Sequence, residues 1–378
     1  MQIQNCLTKR QFFLQESSSK FKAGFIMSNK IPVAVLAGTG SVGQRMISLL
    51  DGHPWFEVVE VTASERSEGK RYQDACHWFL SKPMPDYVKD MALLPTKASA
   101  LSKAKIVFSA LPADIAKEIE PDFAKAGMYL SSNASAYRKD PLVPLLVPEI
   151  NPEHLDLIAL QHSQYGWSGG IITNPNCTTT GFVIPLHAID QKYHVTQLFA
   201  FSMQALSGAG IPGVPSLDII DNVIPYIGGE EEKLEFEPKK IMGAMMPDSV
   251  KLHPMAISAH TNRVAVVDAH TICSTIATEL KPSVEELIET VKNFEVPEVT
   301  KTLPSCPKHA IIFHEEDNRP QPRLDRDLEN GMATSIGRIR KDTILDYRFV
   351  TVSHNTIRGA AGGSILNGEL IARRFFGM

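Results

Sequence analysis

A continuous apolar run from Ile31 to Ala37 gives way at once to glycines, the pattern of a buried parallel strand entering a tight turn. From Ser41 to Leu50 the spacing becomes that of a helix, with Val42, Met46, Leu49 and Leu50 on one side. Phe56 to Ala63 and Ala104 to Ala110 predict a second and a third strand, and Ala113 to Ala126 a helix that Gly127 ends. Met128 to Ser132 and Val143 to Val147 continue the series. Strands alternating with helices predict an α/β fold with right-handed crossovers, a Rossmann-type doubly wound parallel sheet.

The pattern changes near residue 177. Longer β-rich stretches follow at Thr196 to Gln204, Arg263 to Thr275 and Asp346 to Val352. Between the last two, Val284, Leu287, Ile288 and Val291 fall at helical spacing from Val284 to Phe294, and Ser283 with Glu286 makes a capping box. This half predicts an α+β domain on a mostly antiparallel sheet. The segment Asn355 to Phe376 is glycine-rich and then helical, placed to return to the first domain. The expected organisation is an extension at 1–26, a nucleotide-binding domain at 27–176 plus 354–378, and a catalytic and dimerisation domain at 177–353. The acidic run Glu230 to Glu232 reads as a solvated helix start.

The chain has 378 residues, 43% hydrophobic and 21% charged, ample for two domains. A net charge of −4 offers no basic field for nucleic acid or anionic lipid. No apolar run approaches the roughly 20 residues that span a bilayer. The five cysteines are odd in number, scattered and never in a CxxC pair, which points to a reducing, cytoplasmic setting rather than a disulfide framework. No metal site is evident. Residues 1–26 carry Lys9, Arg10, Lys20 and Lys22 against the single acid Glu16. Organellar import signals have such a composition. A plain extension ahead of a start at Met27 fits better, because MSNKIPVAVLAGTG opens naturally into the first strand.

Two stretches carry chemistry. GTGSVG, with Gly38, Gly40 and Gly43, joins the first strand to a helix, where glycines permit a tight turn and let amides approach a pyrophosphate. The second strand ends in Ser64-Glu65-Arg66-Ser67; two hydroxyls and a guanidinium suit a ribose 2′-phosphate, hence NADP, while Glu65 leaves NAD open. Further on, Ile171 to Thr173 reads as a strand, and Asn174-Pro175-Asn176 then turns into Cys177. A cysteine at such a helix start is favoured as a thiolate nucleophile. Locally, a small buried cysteine explains it as well. Pro185 predicts a kink behind it. Arg263 and His270 are candidate partners, the histidine because its proton exchanges near neutrality. Seven residues apart on one strand they would face opposite ways, so a shared site requires a bend near Asp268-Ala269.

NPNC at 174–177, MQALSGAG at 203–210, the Glu237/Lys240 ExxK, RVAVVDAH at 263–270 and HNTIRGAAGG at 354–363 together resemble the aspartate-β-semialdehyde dehydrogenases, in the branch shared by archaea and fungi. The resemblance runs from Met27 to the C-terminus. It implies NADPH-dependent reduction of L-aspartyl-4-phosphate to L-aspartate 4-semialdehyde, through a thioester on Cys177. It further implies His270 as general acid/base, Gln204 as the group that orients the substrate, and Asn176 and Cys177 amides at the oxyanion. Arg263 would pair with the substrate carboxylate, Glu237 with its ammonium, and Arg138 and Lys240, beside Asn133, with phosphate. For NADP it implies Gly38, Thr39, Gly40, Ser41, Val42, Gly43, Ser64, Arg66, Ser67, Ser109, Ser207, Gly208 and Asn355.

Malonyl-CoA reductase shares SGAGIPGVPSLD and HNTIRGAAGG and is the nearest alternative. N-acetyl-glutamyl-phosphate reductase is a more distant one, and a non-catalytic NADP-binding sensor belongs to another class. Intact NPNC beside Arg263, Glu237 and Lys240 favours the aminoacyl phosphate. The resemblance also implies a homodimer or homotetramer.

Overall fold

The computed structural model describes residues 30–378; the expected extension at 1–26 lies outside the described residues. From residue 31 onward the chain builds two sheets. The first comprises β1 (Ile31–Leu36), β2 (Phe56–Ala63), β3 (Leu94–Pro95), β4 (Ile106–Ser109), β5 (Tyr129–Ser132) and β6 (Gly170–Thr173). Their order is β3-β2-β1-β4-β5-β6 and every pairing is parallel, the doubly wound arrangement whose ligand crevice lies at the carboxyl ends of the strands. Helices at Ser41–Leu50 and Ala113–Lys125 make the crossovers. Gly127, at φ +86°, follows the second of these.

One expected strand is absent. Val143 to Val147 makes only an isolated bridge, Leu145 to Thr173. Prolines at 141, 144 and 148 lack the N–H groups a ladder needs, and Gly170–Thr173 is the strand that fills the edge. The two-residue β3 was too short to be read from periodicity.

The second sheet gathers β7 (Val195–Gln204), β8 (Ile224–Pro225), β11 (Ala256–Arg263), β12 (His270–Thr278), β13 (Ile311–His314), β14 (Thr334–Lys341) and β15 (Tyr347–Ser353). A separate two-stranded ribbon pairs β9 (Ala244–Met245) with β10 (Val250–Lys251). The large sheet runs β13-β14-β15-β12-β7-β11-β8 and is mostly antiparallel, with parallel pairs β7/β11 and β13/β14. Arg263 and His270 therefore do not share a strand: β7 lies between the two strands that carry them. The expected bend is where the sequence required it, since Ala269 has φ +82°.

A helix from Cys177 to Tyr193 links the sheets and continues through Pro185. Its apolar residues Phe182, Val183 and Leu186 enter one core with Leu198, Ile272, Leu287 and Val291. The closing helix, Gly362–Phe376, returns to the parallel sheet. Ile365, Leu366, Leu370 and Ile371 join its core, and Gly368 lies so close to Phe108 that a Cβ there would stand 2.5 Å from the ring.

Candidate active site

The Asn174–Cys177 turn follows from the strand-to-helix junction after β6. Asn176 caps the helix: its side-chain oxygen accepts from the amides of Thr178 and Thr179 at 2.9 and 3.3 Å, satisfying donors that a helix start leaves free. Cys177 is thereby fixed as the first helical residue. It borders a cleft of about 340 Å³ whose walls include Ser41 and Val42 from the glycine loop, Gln204 from the end of β7 and Arg263 from the end of β11. The cleft thus opens at the carboxyl ends of strands from both sheets.

His270 Nε2 stands 3.2 Å from Cys177 Sγ. The Ala205 N–H donates to His270 Nδ1 at 2.9 Å, so the neutral ring carries its proton on Nε2, facing the sulfur. The oxygen of the same residue, Ala205, accepts from Arg263 Nη1 at 2.7 Å. Arg263 and Gln204 are register partners across β11 and β7, and His270 begins the strand on the other side of β7. One end of the sheet therefore delivers all three side chains. Burial, with Arg263 and His354 nearby, holds the imidazole down at about 3. Cys177 keeps a partly open surface, yet burial of its sulfur among protein groups pushes the thiol up to about 12. The carboxylate of Glu230 adds to that rise, and Arg138, Lys233 and the Thr178 amide oppose it. Both shifts favour a neutral thiol beside a neutral imidazole at rest, opposing the thiolate that the helix start favours.

The charged residues fall differently from the sequence expectation. Glu237 does not line the cleft: its carboxylate accepts from the Asn176 N–H at 2.6 Å and from Arg138 Nη1 at 2.8 Å. Lys240 is buried with its ammonium donating to the carbonyls of Arg138, Asp140 and Val143, so it is not free for phosphate. Glu230, expected in solvent, is 8% exposed and faces the cleft. It accepts from Asn176 Nδ2 at 2.8 Å and from Lys233 Nζ at 2.7 Å, and lies 3.4 Å from Gln204 Nε2. Sequence reasoning missed Glu230 and Lys233, although both sit in an ExxK one heptad ahead of the chosen one. Seven residues return a helix to nearly the same face. The Asn176 N–H, spent on Glu237, is likewise unavailable to an oxyanion. Arg138 lines the cleft while donating to Glu237 and, through Nη2, to the Asn133 carbonyl at 2.7 Å.

The glycine loop has the shape a dinucleotide needs. A Cβ at Gly38 would meet Val61 at 2.4 Å and one at Gly43 would meet the Ala37 oxygen at 2.4 Å, so only glycines allow this tight approach of helix to strand. Tyr72 donates to the Gly38 carbonyl at 2.9 Å and Gln44 to the Thr39 carbonyl at 2.9 Å. Thr39 is thus tied into the loop, while Gly40 is exposed. Ser64 and Arg66 are exposed and Ser67 half-buried around a short 3₁₀ turn after β2, with Glu65 also exposed. Ser207 and Gly208 line the cleft, Gly208 close against Arg263. Asn355 lines it too, but both arms of its amide hold protein groups: Oδ1 accepts from the Ala269 N–H and Nδ2 donates to Ser207 Oγ, each at 2.8 Å. Ser109 departs from expectation, being fully buried beneath Asn133 and away from the cleft wall.

The HNTIRGAAGG segment packs against Cys177. Ile357–Ala361 forms a π-helical turn, a distortion frequent at functional sites. Within it, Gly359 lies against Cys177, and Arg358 is fully buried in an ion pair with Glu149 at 2.8 Å.

Two family models match the chain. One described as semialdehyde dehydrogenase, NAD binding domain, matches residues 32–158, and one described as semialdehyde dehydrogenase, dimerisation domain, matches residues 185–358. The aspartate-semialdehyde dehydrogenase of Archaeoglobus fulgidus is 47% identical over 344 residues, covering 90% of this chain and 98% of that protein. That of Schizosaccharomyces pombe is 44% identical over 349 residues, covering 90% and 98%. A crystal structure of aspartate semialdehyde dehydrogenase with NADP from Candida albicans superposes with a TM-score of 0.83 at 40% identity, covering 90% of this chain and 98% of that one.

Proposed function

The chain belongs to the aspartate-semialdehyde dehydrogenases, and from that premise we propose how its cleft carries out the family's reaction. The reaction is the NADPH-dependent conversion of L-aspartyl-4-phosphate to L-aspartate 4-semialdehyde and phosphate, a step of aspartate-family amino-acid biosynthesis. The observation that carries the assignment of roles is the 3.2 Å approach of Cys177 Sγ to His270 Nε2 within a cleft bearing one anion and three cations.

Cys177 attacks the acyl carbon. The Sγ–C bond forms, the C–O bond to phosphorus breaks, and the bonding pair leaves on inorganic phosphate, which also takes up the proton lost by the thiol. Nε2–H of His270 donates first to the thiolate and then to the carbonyl oxygen as its charge grows, in a site where such a bond is worth more than in water. The Cys177 N–H makes no hydrogen bond among the described residues and is the second donor. Arg263 pairs with the α-carboxylate, where its planar fork suits two oxygens. Glu230 takes the α-ammonium, and Arg138 with Lys233 takes the phosphate. Gln204, between Ser202 and Glu230, orients the acyl group.

The amides of Thr39, Ser41, Val42 and Gly43, which make no hydrogen bond among the described residues, would cradle the pyrophosphate of NADP, with Ser64, Arg66 and Ser67 at the 2′-phosphate. When bound, NADPH supplies the hydride that reduces the thioester. Sulfur then leaves as the thiolate, again met by Nε2–H, the aldehyde is released, and a proton from solvent restores the thiol.

We read residues 27–176 with 354–378 as the cofactor domain and 177–353 as the catalytic and dimerisation domain. The large sheet supports a homodimer: Phe199, Phe201 and Met203 of β7 and Val350 of β15 stand exposed or half-buried on its open face. The free thiols among the described residues, Cys76, Cys177, Cys273 and Cys306, fit a reducing cytoplasm. No helix among the described residues is long and apolar enough to cross a membrane.

The decisive assay is run in reverse. Aspartate semialdehyde should reduce NADP only when phosphate is present. Turnover confined to malonyl-CoA would overturn the substrate assignment and leave the thioester chemistry standing.

A further inference from the structure

The helix Glu230–Ile241 carries the same Glu-x-x-Lys spacing twice, at Glu230/Lys233 and at Glu237/Lys240. Seven residues apart, the two glutamates share one face of that helix. The face does two jobs along its length, because it meets the cleft at its first turns and the underside of the nucleophile turn further on. Glu230 and Lys233 line the cleft. Glu237 is 1% exposed and reaches two elements at once: Oε2 accepts from the Asn176 N–H at 2.6 Å and Oε1 from Arg138 Nη1 at 2.8 Å. One helical turn later, the buried Lys240 ammonium fills all three of its donor sites on the carbonyls of Arg138, Asp140 and Val143, at 2.8, 2.6 and 2.8 Å.

Asn176 is the residue before Cys177 and the cap of its helix. Arg138 in turn holds the Asn133 carbonyl, and Asn133 Oδ1 accepts from Asn174 Nδ2 at 3.1 Å. The chain of bonds from Glu237 therefore closes on both ends of the Asn174–Cys177 turn. We propose that Glu237 and Lys240 are positioning residues that tie the nucleophile turn and the 133–143 loop to one helix, while substrate contact belongs to Glu230 and Lys233. This assignment rests on the reaction proposed above. Buried charges of this kind are costly unless fully paired, and the cost is offset here by hydrogen bonds that specify one geometry for the turn. A buried glutamate deprived of its charge leaves two strong donors facing an amide that can accept from only one of them and must itself donate.

The test compares Glu237→Gln and the milder Glu237→Asp with Glu230→Gln in the full chain. NADP affinity, read by fluorescence titration, serves as the check on folding. In Glu237→Gln, the loosened turn leaves Cys177 more open and less exposed to negative charge. Iodoacetamide should alkylate it severalfold faster than in wild type, while kcat falls about 30-fold or more and KM for aspartate semialdehyde moves less than threefold. Glu237→Asp should move the same way by a smaller factor. Glu230→Gln should instead raise KM at least tenfold. The assignment is overturned if Glu237→Gln raises KM tenfold with kcat unchanged, or if either Glu237 variant alkylates no faster than wild type. Wild type that fails to reduce NADP with aspartate semialdehyde and phosphate would sink the reaction and not the thiol measurement.

Discussion

Cys177 Sγ and His270 Nε2 face each other at 3.2 Å, and the Ala205 N–H already occupies the far nitrogen of the ring. In the proposed reaction Cys177 carries the covalent steps alone, because no other thiol among the described residues borders the cleft. Cys177→Ala should lower turnover by more than about 10³-fold. NADP binding, measured by fluorescence titration, should stay within a few-fold of wild type, since the glycine loop lies on the other wall. Residual activity near a tenth of wild type would end the covalent reading.

The same pair predicts an unusual pH response. With the thiol held up at about 12 and the imidazole down at about 3, neither group changes charge between pH 6 and 9 in the resting enzyme. Thiolate is then a small fraction that grows about tenfold per pH unit, and the thiolate is the species that reacts. Alkylation of Cys177 in cofactor-free protein, followed by mass spectrometry, should rise log-linearly over this range without a plateau. A preformed thiolate–imidazolium pair would give a flat profile instead.

Gly359 leaves room for nothing larger. A Cβ there would stand 2.6 Å from the Cβ of Cys177 and 2.8 Å from its Cα, so either the π-helical turn or the nucleophile must move. Gly359→Ala should cut kcat by about 10²-fold, the usual consequence of displacing a reacting atom by about an ångström. The overpacking should also cost about 1–3 kcal/mol of stability. Thermal unfolding alongside steady-state kinetics checks both; unchanged kcat would show that the contact does not set the geometry.

Local signals were legible in the chain and tertiary ones were not. The run from Ile31 into GTGSVG and the capping box at Ser283 and Glu286 were readable because neighbouring residues determine them, and the bend at Ala269 because a site shared by Arg263 and His270 requires one. Val143 to Val147 looked like a strand because its apolar residues hid the missing donors of its prolines. Arg263 to Thr275 looked like one strand because the insertion of β7 between its halves is a property of the sheet. Glu230 and Lys233 line the cleft where Glu237 and Lys240 were expected, for the same reason. Helical spacing puts Glu230 and Glu237 on one face, but only packing decides which length of that face meets the cleft and which meets buried carbonyls.

Glu120 carries the last prediction. It is fully buried on the Ala113–Lys125 helix; Oε1 accepts from Ser132 Oγ at 2.6 Å, and Oε2 has no partner. Burial raises the carboxyl to about 7, above the roughly 4.3 of an exposed glutamate. The native state therefore favours the protonated acid. The stability this contributes is complete below about pH 4 and is lost as pH rises through about 7. Glutamine mimics the protonated acid at every pH. Glu120→Gln should raise stability by about 3–4 kcal/mol at pH 8 and leave it unchanged at pH 4, as read from urea unfolding at the two values. An equal gain at both would assign the effect to packing rather than charge.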